Sequence, residues 1–213
     1  MSACSEFMKH GLLHDRYIFP RRIRRLCELL AIELPSHARV LDVGCGDGSL
    51  DARLMRARSD IEIQGADVLV RQQSQIPVTR FNGISLPFAD RSFDVVMFVD
   101  VLHHIADPLP LLRDAVRVSR SGLLVKDHLL EGMAAGTRLR LMDWIGNARF
   151  GVALPYNYWP AGRWERAFAE LGLGVTSRRT DLELYPEPLD SIFGASLHFI
   201  ARLTPAGTEA SHG

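Results

Sequence analysis

The sequence predicts an α/β domain. Its core is a seven-stranded, mostly parallel sheet with one late antiparallel strand and helices on both faces. Three observations carry this. First, the apolar strand end Val40-Leu41-Asp42-Val43 runs into glycines at 44, 46 and 48 and then into a helix-compatible stretch. Strand, glycine turn and helix together build a pocket at the carboxyl end of a first strand. Second, strand-like and helix-like segments alternate from residue 38 onward, and repeated βα units give a parallel sheet covered on both faces. Third, the last two strand segments have no helix between them. Residues 185–196 hold Pro186, Pro188 and Gly194, so the final strand turns back antiparallel to its predecessor.

The elements follow in order. A helix is expected over 20–34, because Ile23, Leu26, Cys27 and Leu30 share one face and leave the run Arg21-Arg22-Ile23-Arg24-Arg25 on a solvated one. Strands are expected at 39–43, 61–66, 78–82, 93–99, 121–127, 174–184 and 197–203, where apolar and β-branched residues cluster. Helices are expected at 49–58, at 108–119 (Leu109, Leu112 and Val116 in helical spacing) and at 160–171 (Trp164, Phe168 and Leu171). A further segment, 132–147, has weaker helical character. The domain proper is thus 38–203, preceded by a helical lid segment, 1–37, in which Tyr17 and Phe19 are placed to close the pocket. The small polar residues 204–213 form a frayed tail.

The chain has 213 residues, 47% of them hydrophobic, and no formal net charge. That length supports one domain with a real core. A neutral chain has no global field to draw in nucleic acid or an anionic membrane. Its three cysteines, Cys4, Cys27 and Cys45, make neither a metal-binding spacing nor a disulfide framework, which points to the cytoplasm. No apolar run is long enough to span a bilayer.

The turn itself narrows the ligand. The dinucleotide fingerprint Gly-x-Gly-x-x-Gly needs glycine at 49, where this chain has Ser49. Asp42 precedes the first glycine and Asp47 lies inside the loop. Carboxylates beside a pyrophosphate would repel it. A cationic ligand fits better, and S-adenosylmethionine (SAM) carries an ammonium and a sulfonium. In Val40–Gly48 the chain resembles the class I SAM-dependent methyltransferases, whose first motif reads in this way, and the resemblance extends over residues 38–203. It implies a Rossmann-like fold and SAM as cofactor, held by Asp42, Gly44, Cys45, Gly46, Asp47 and Gly48.

The resemblance implies further roles. Asp67, about twenty residues after Gly46 at the end of the second strand, would accept from both ribose hydroxyls, with Val68 beside the adenine. Asn82 and Gly83 stand in the segment after the third strand. The family usually has Asp at the position of Asn82, and the Asn oxygen can still accept from the adenine amine. Val99 and Asp100, at the end of the fourth strand, would border the methionine moiety. The following Leu102-His103-His104-Ile105 is frequent in the subgroup of quinone-biosynthesis C-methyltransferases and small-molecule O-methyltransferases. One of the two histidines would face the pocket, and His104 joins the catalytic candidates.

Transfer to oxygen requires loss of a proton and therefore a base. The fifth strand ends in Lys126-Asp127-His128, and in this fold that end opens beside the methyl group. Asp127 and His128 are the acid/base candidates, His128 first because its unperturbed pKa is about 6.5. The aromatic and amide-rich stretch 143–160 suits the wall of a small acceptor pocket. Asp100 and Asp127 superficially match the Mg²⁺ carboxylates of catechol-type enzymes, but a full oxygen ligand set is not evident, so no metal is expected. The reading is methyl transfer from SAM to a small molecule at oxygen or carbon. The alternatives are a catalytically silent SAM-binding or scaffold protein and a nucleotide-dependent oxidoreductase.

Overall fold

The computed structural model describes residues 19–147, 156–194 and 196–207, with backbone alone for 143–147. Tyr17, Cys4, most of the frayed-tail segment and the centre of the 143–160 stretch therefore lie outside the described residues. In chain order the elements are α1 (Phe19–Glu33), β1 (Arg39–Val43), α2 (Ser49–Ala57), β2 (Glu62–Asp67), β3 (Val78–Arg80) and β4 (Val95–Val99). There follow a 3₁₀ turn (Leu102–His104), α3 (Leu109–Val118), β5 (Leu123–His128), α4 (Ala135–Asn147), α5 (Ala161–Glu170), β6 (Leu173–Arg179), a π-helical turn (Asp190–Gly194) and β7 (His198–Pro205). They form one seven-stranded sheet in the order β3-β2-β1-β4-β5-β7-β6. Strands β1 to β5 pair in parallel, and β7 runs antiparallel to both β5 and β6.

The period-two alternation of the strands divides the core in two. Leu41, Val43, Val96, Phe98, Leu123 and Val125 point to one face, against Leu111, Leu112, Ala115 and Val118 of α3 and Trp164 and Phe168 of α5. Val40, Val95, Met97 and Leu124 point to the other, against Leu26, Leu29 and Leu30 of α1 and Ala52 and Leu54 of α2. Each leucine so enclosed contributes roughly 1.5–3 kcal/mol. Arg39 N–H donates to Asp94 Oδ2 at 2.8 Å, and Arg120 bonds its other oxygen at 3.1 Å. Asp94 thus braces the entry to β4 at the end of the sheet away from the glycine turn.

Three expectations change. β6 stops at Arg179 instead of reaching 184, because Leu182 and Leu184 leave the ladder to fill the core beneath α1. β7 takes in Thr204 and Pro205, so the start of the expected tail is sheet, held by the pairing of Leu173 with Pro205 and Gly174 with Thr204. The arginines of α1 do not share one solvated face. Arg25 Nε bonds the Leu182 carbonyl at 3.1 Å, and Arg22 reaches inward to Asp100.

Candidate active site

The order β3-β2-β1-β4 reverses direction between β1 and β4, and ligands in open α/β sheets bind at such a switch point, beyond the strand carboxyl ends. The glycine turn lies there. Gly44 has φ +82, and a Cβ on it would sit 2.4 Å from Val101 Cγ2, inside van der Waals contact. Only glycine lets Val101 pack against this turn. Gly46 has φ +62, and a Cβ there would meet nothing within 4 Å, so the turn is open to a ligand at that point. Gly48 ends the turn at φ 72 as the N-cap of α2.

Carboxylates surround the opening. Asp67 Oδ2 accepts from Gly46 N–H at 2.9 Å and Oδ1 from Leu69 N–H at 2.9 Å. It clamps the turn to the end of β2, and each oxygen keeps a second lone pair for a ligand. Asp47 Oδ1 accepts from Ser49 N–H at 3.0 Å. Asp42 is buried on the α2 side of β1, and its Oδ1 has no hydrogen-bond partner. The Cys45 thiol is driven up, out of the range of a nucleophile, by burial and by the charges of Asp42, Asp51 and Asp67. It packs against Gly65, where a Cβ would stand 2.3 Å from its sulfur.

Beyond Asp67 the surface turns apolar. Val68, Leu69, Val70 and Ile84 are exposed, and Gly83 lies against Val68. Asn82 Oδ1 accepts from Ile84 N–H at 2.9 Å and Ser85 N–H at 2.8 Å. The oxygen expected to accept from an adenine amine is therefore committed to its own turn.

A second cluster lies at the ends of β4, β5 and β7. Asp100 follows β4 with φ 57, a conformation costly for a side chain other than glycine. Its carboxylate takes hydrogen bonds from Arg22 of α1 and from Lys126 of β5. Burial alone would raise its pKa, but the charges of Lys126 and Arg22 hold it well below the usual carboxylate range. Lys126 is fully buried, and its Nζ also lies 3.3 Å from His198 Nδ1. Burial lowers its pKa, and Asp100 opposes the shift. His198 donates from Nε2 to the Phe193 carbonyl at 3.1 Å. Asp100, His128 and His198 have metal-ligating side chains, and two of them are already bonded to the Lys126 ammonium.

Asp127 and two imidazoles complete the cluster. Asp127 is fully buried; its Oδ2 accepts from Leu102 N–H at 2.9 Å and its Oδ1 from His128 N–H at 2.7 Å. The same Oδ1 lies 2.7 Å from His103 Nδ1 and 3.2 Å from His128 Nδ1. Burial works against its ionisation, but the charge and hydrogen bond of His103 overcome it and hold the carboxyl far below the usual range. The nearer nitrogen, His103 Nδ1, donates to this fixed carboxylate, which leaves Nε2 as the basic nitrogen of that ring, while His128 Nδ1 lies 3.2 Å from both Asp127 Oδ1 and His103 Nδ1. The His128 pKa is lowered, first by burial and then by His103. Tyr158 stacks on His103 with centroids 5.8 Å apart. Asn157 Nδ2 bonds the Ile105 carbonyl at 2.7 Å, and Asn157 N–H bonds the His103 carbonyl at 3.2 Å. The described part of the amide-rich stretch thus fastens the loop that carries His103.

Val101 and Leu102 join the two clusters. The side chain of Val101 touches the glycine turn, and the next N–H, that of Leu102, is bonded to Asp127. A model described as a methyltransferase domain matches residues 13–178. The chain belongs to this family. Its cofactor is SAM, and the turn suits it: an open cradle at Gly46, carboxylates around it and a buried oxygen on Asp42 without a partner.

Curated relatives of this methyltransferase include a 27-O-demethylrifamycin SV methyltransferase from Amycolatopsis mediterranei. It is 33% identical over 149 residues, 62% of this chain and 54% of the relative. A ubiquinone biosynthesis O-methyltransferase from Ruegeria sp. is 33% identical over 98 residues, 39% of this chain and 38% of the relative. The matched stretch spans about half the length of the first of these and less of the second. Among solved structures, a methyltransferase from Bacillus halodurans superposes with TM-score 0.59 at 16% identity, covering 85% of this chain and 98% of that one. A SAM-dependent methyltransferase from Thermotoga maritima gives 0.58 at 19%, covering 93% and 98%. These likenesses establish the fold.

Sequence reasoning placed His128, Asp127, Asp42, Asp67 and Asp100 at the strand ends where the structure has them. His104 is half-buried beside His103, with ring centroids 4.0 Å apart; among the described residues the Asp127 partner is its neighbour. Arg22, Lys126, His198 and Asp51 entered no candidate set. Lys126 stood in plain view between Val125 and Asp127 as a charge in an apolar strand, a signal of a buried ion pair.

Proposed function

We propose that the protein transfers the methyl group of SAM to a small molecule at an ionisable oxygen or carbon, with His103 and Asp127 as the acid/base pair. The observation that carries this is the 2.7 Å contact of His103 Nδ1 with Asp127 Oδ1, two residues along the chain from the side chain that packs on Gly44. Bound SAM supplies an electrophilic methyl group on its sulfonium. Asp67 would hold the ribose hydroxyls, and Val68, Leu69 and Ile84 would cover the adenine. Asn82 and Gly83 shape the turn beneath it. Val99 and Asp100 border the methionine end, with Asp100 fixed by two cations. The proton of the acceptor would pass to His103 Nε2, with Asp127 stabilising the imidazolium. His128 shares Asp127, keeps its own ring neutral and orients the pair. Positioned acid/base groups contribute about 10²–10⁴-fold, and alignment of donor and acceptor adds to this.

The names of the O-methylating relatives support an oxygen acceptor. The two described cysteines, Cys27 and Cys45, are free thiols, which supports a cytoplasmic setting. No described helix is long and apolar enough to cross a membrane. The test is incubation with methyl-labelled SAM and a metabolite extract, read by mass spectrometry. Labelled products that disappear with His103→Ala support the reading. Binding of SAM without any labelled product overturns it.

A further inference from the structure

Beneath the glycine turn are two acids whose buried oxygens have no partner. Asp42 is the penultimate residue of β1, with its side chain on the α2 side, and Asp51 stands in the first turn of α2. They are 3% and 0% exposed. Among the described residues, Oδ1 of Asp42 and both oxygens of Asp51 have no hydrogen-bond donor. A buried carboxylate is costly unless it is paired with a cation or hydrogen-bonded. The charged and titratable groups that act on the two are Asp67 from β2 and Asp47 and Cys45 from the turn, all of them acids. This part of the molecule therefore has carboxyl oxygens in excess and lacks a positive charge.

We infer that Asp42 and Asp51 form a proton-holding pair that binds the primary ammonium of the cofactor and gives up a proton to solvent when it does so. The inference rests on SAM being the cofactor. Two like charges buried side by side cannot both ionise cheaply, so one proton stays. Burial and the charge of Asp51 push Asp42 well above the usual range, and Asp51 is itself raised to about 6. An ammonium placed between them supplies the missing charge and donors. The proton then has no further purpose and leaves, O–H bond breaking at one carboxyl as N–H donors arrive at both. Asp51 is thus a positioning residue that sets the protonation of Asp42.

The test compares wild type, Asp51→Asn and Asp42→Asn by calorimetry with SAM between pH 6 and 7.5, in buffers of different ionisation enthalpy. Wild type should release close to one proton, so affinity should rise by up to about tenfold per pH unit. Asp51→Asn, with Asp42 still buried but relieved of its neighbour's charge, should release a smaller fraction of a proton than wild type and bind more tightly than wild type at pH 6. Asp42→Asn should bind weakly throughout. The ligand's own amine titrates identically against all three and cancels in the comparison. Equal proton release by wild type and Asp51→Asn overturns the pair. Carbon-13 carboxyl spectra of the ligand-free protein give a second readout. Wild type should show an Asp titrating far above its fellows, and Asp51→Asn should bring that titration down. Ordinary titration of every Asp overturns the inference even if SAM fails to bind. Failure to bind with the raised carboxyl present would instead overturn the cofactor reading alone.

Discussion

His103 Nδ1 and Asp127 Oδ1 lie 2.7 Å apart, both side chains almost fully enclosed, one from the turn after β4 and the other from β5. A charge-assisted bond in such surroundings fixes the ring. His103→Ala should reduce turnover by about 10²–10⁴-fold with SAM affinity retained. His128→Ala should cost less, because its Nδ1 is farther from Asp127, at 3.2 Å. Steady-state kinetics alongside SAM titration decide this. A larger loss in His128→Ala would move the base to that ring.

Asp67 secures the glycine turn through Gly46, and in the proposed site its remaining lone pairs hold the ribose hydroxyls. Hydrogen bonds to charged groups are worth roughly 1.5–3 kcal/mol. Asp67→Ala should therefore weaken SAM binding by about 10- to 150-fold, and Asp67→Asn by less, since one oxygen acceptor survives. Calorimetry on the folded variants measures both. An unchanged dissociation constant for Asp67→Ala would free the ribose from this residue.

Lys126 and Asp100 are a buried pair, and removing one partner of such a pair costs about 3–5 kcal/mol. Lys126→Met should lower stability by that order in denaturant titration. Replacing Asp100 as well, as Asp100→Asn, which tolerates the left-handed backbone there, should recover part of the loss. Arg22 limits the recovery, since it would then lose its carboxylate partner.

His128 and His198 are both held below the ordinary histidine pKa, first by burial. The unfolded chain then binds more protons than the folded one just below neutrality. The stability these rings provide is complete above about pH 6.5 and is lost as pH falls toward their folded values. Melting temperature should drop between pH 7.5 and 5.5, and His198→Gln should flatten that drop. Parallel slopes would show that His198 does not carry a buried neutral ring.

The sheet was legible because each of its strands is a short apolar run ended by a turn signal, and the glycine turn named the end at which the site would lie. Strand limits failed where burial and pairing part company: Leu182 and Leu184 look like strand residues and serve as core without a ladder. The positions of Asp42, Asp47 and Asp67 around the turn could be read from the motif and its spacing. The Arg22–Asp100–Lys126–His198 chain could not, because its members come from α1, β4, β5 and β7 and only sheet order makes them neighbours. His103 and His104 are adjacent and chemically alike, so the choice between them depends on the direction in which the 3₁₀ turn points each ring. Asp51 reads as one more first-turn helix acid until α2 is seen to press it against β1.

The pairing of β7 with β5 places His198 opposite His128, while Arg22 comes to the same cluster from the first described helix. During synthesis the Lys126 ammonium emerges long before the imidazole that will accept from it. Until β7 inserts between β5 and β6, the edge of β5 is open and a buried cation has only part of its shell. Completion of the Lys126 cluster is thereby tied to closure of the sheet by β7. A chain that stops short of that strand would leave the β5 edge unpaired and the Lys126 ammonium without the His198 imidazole.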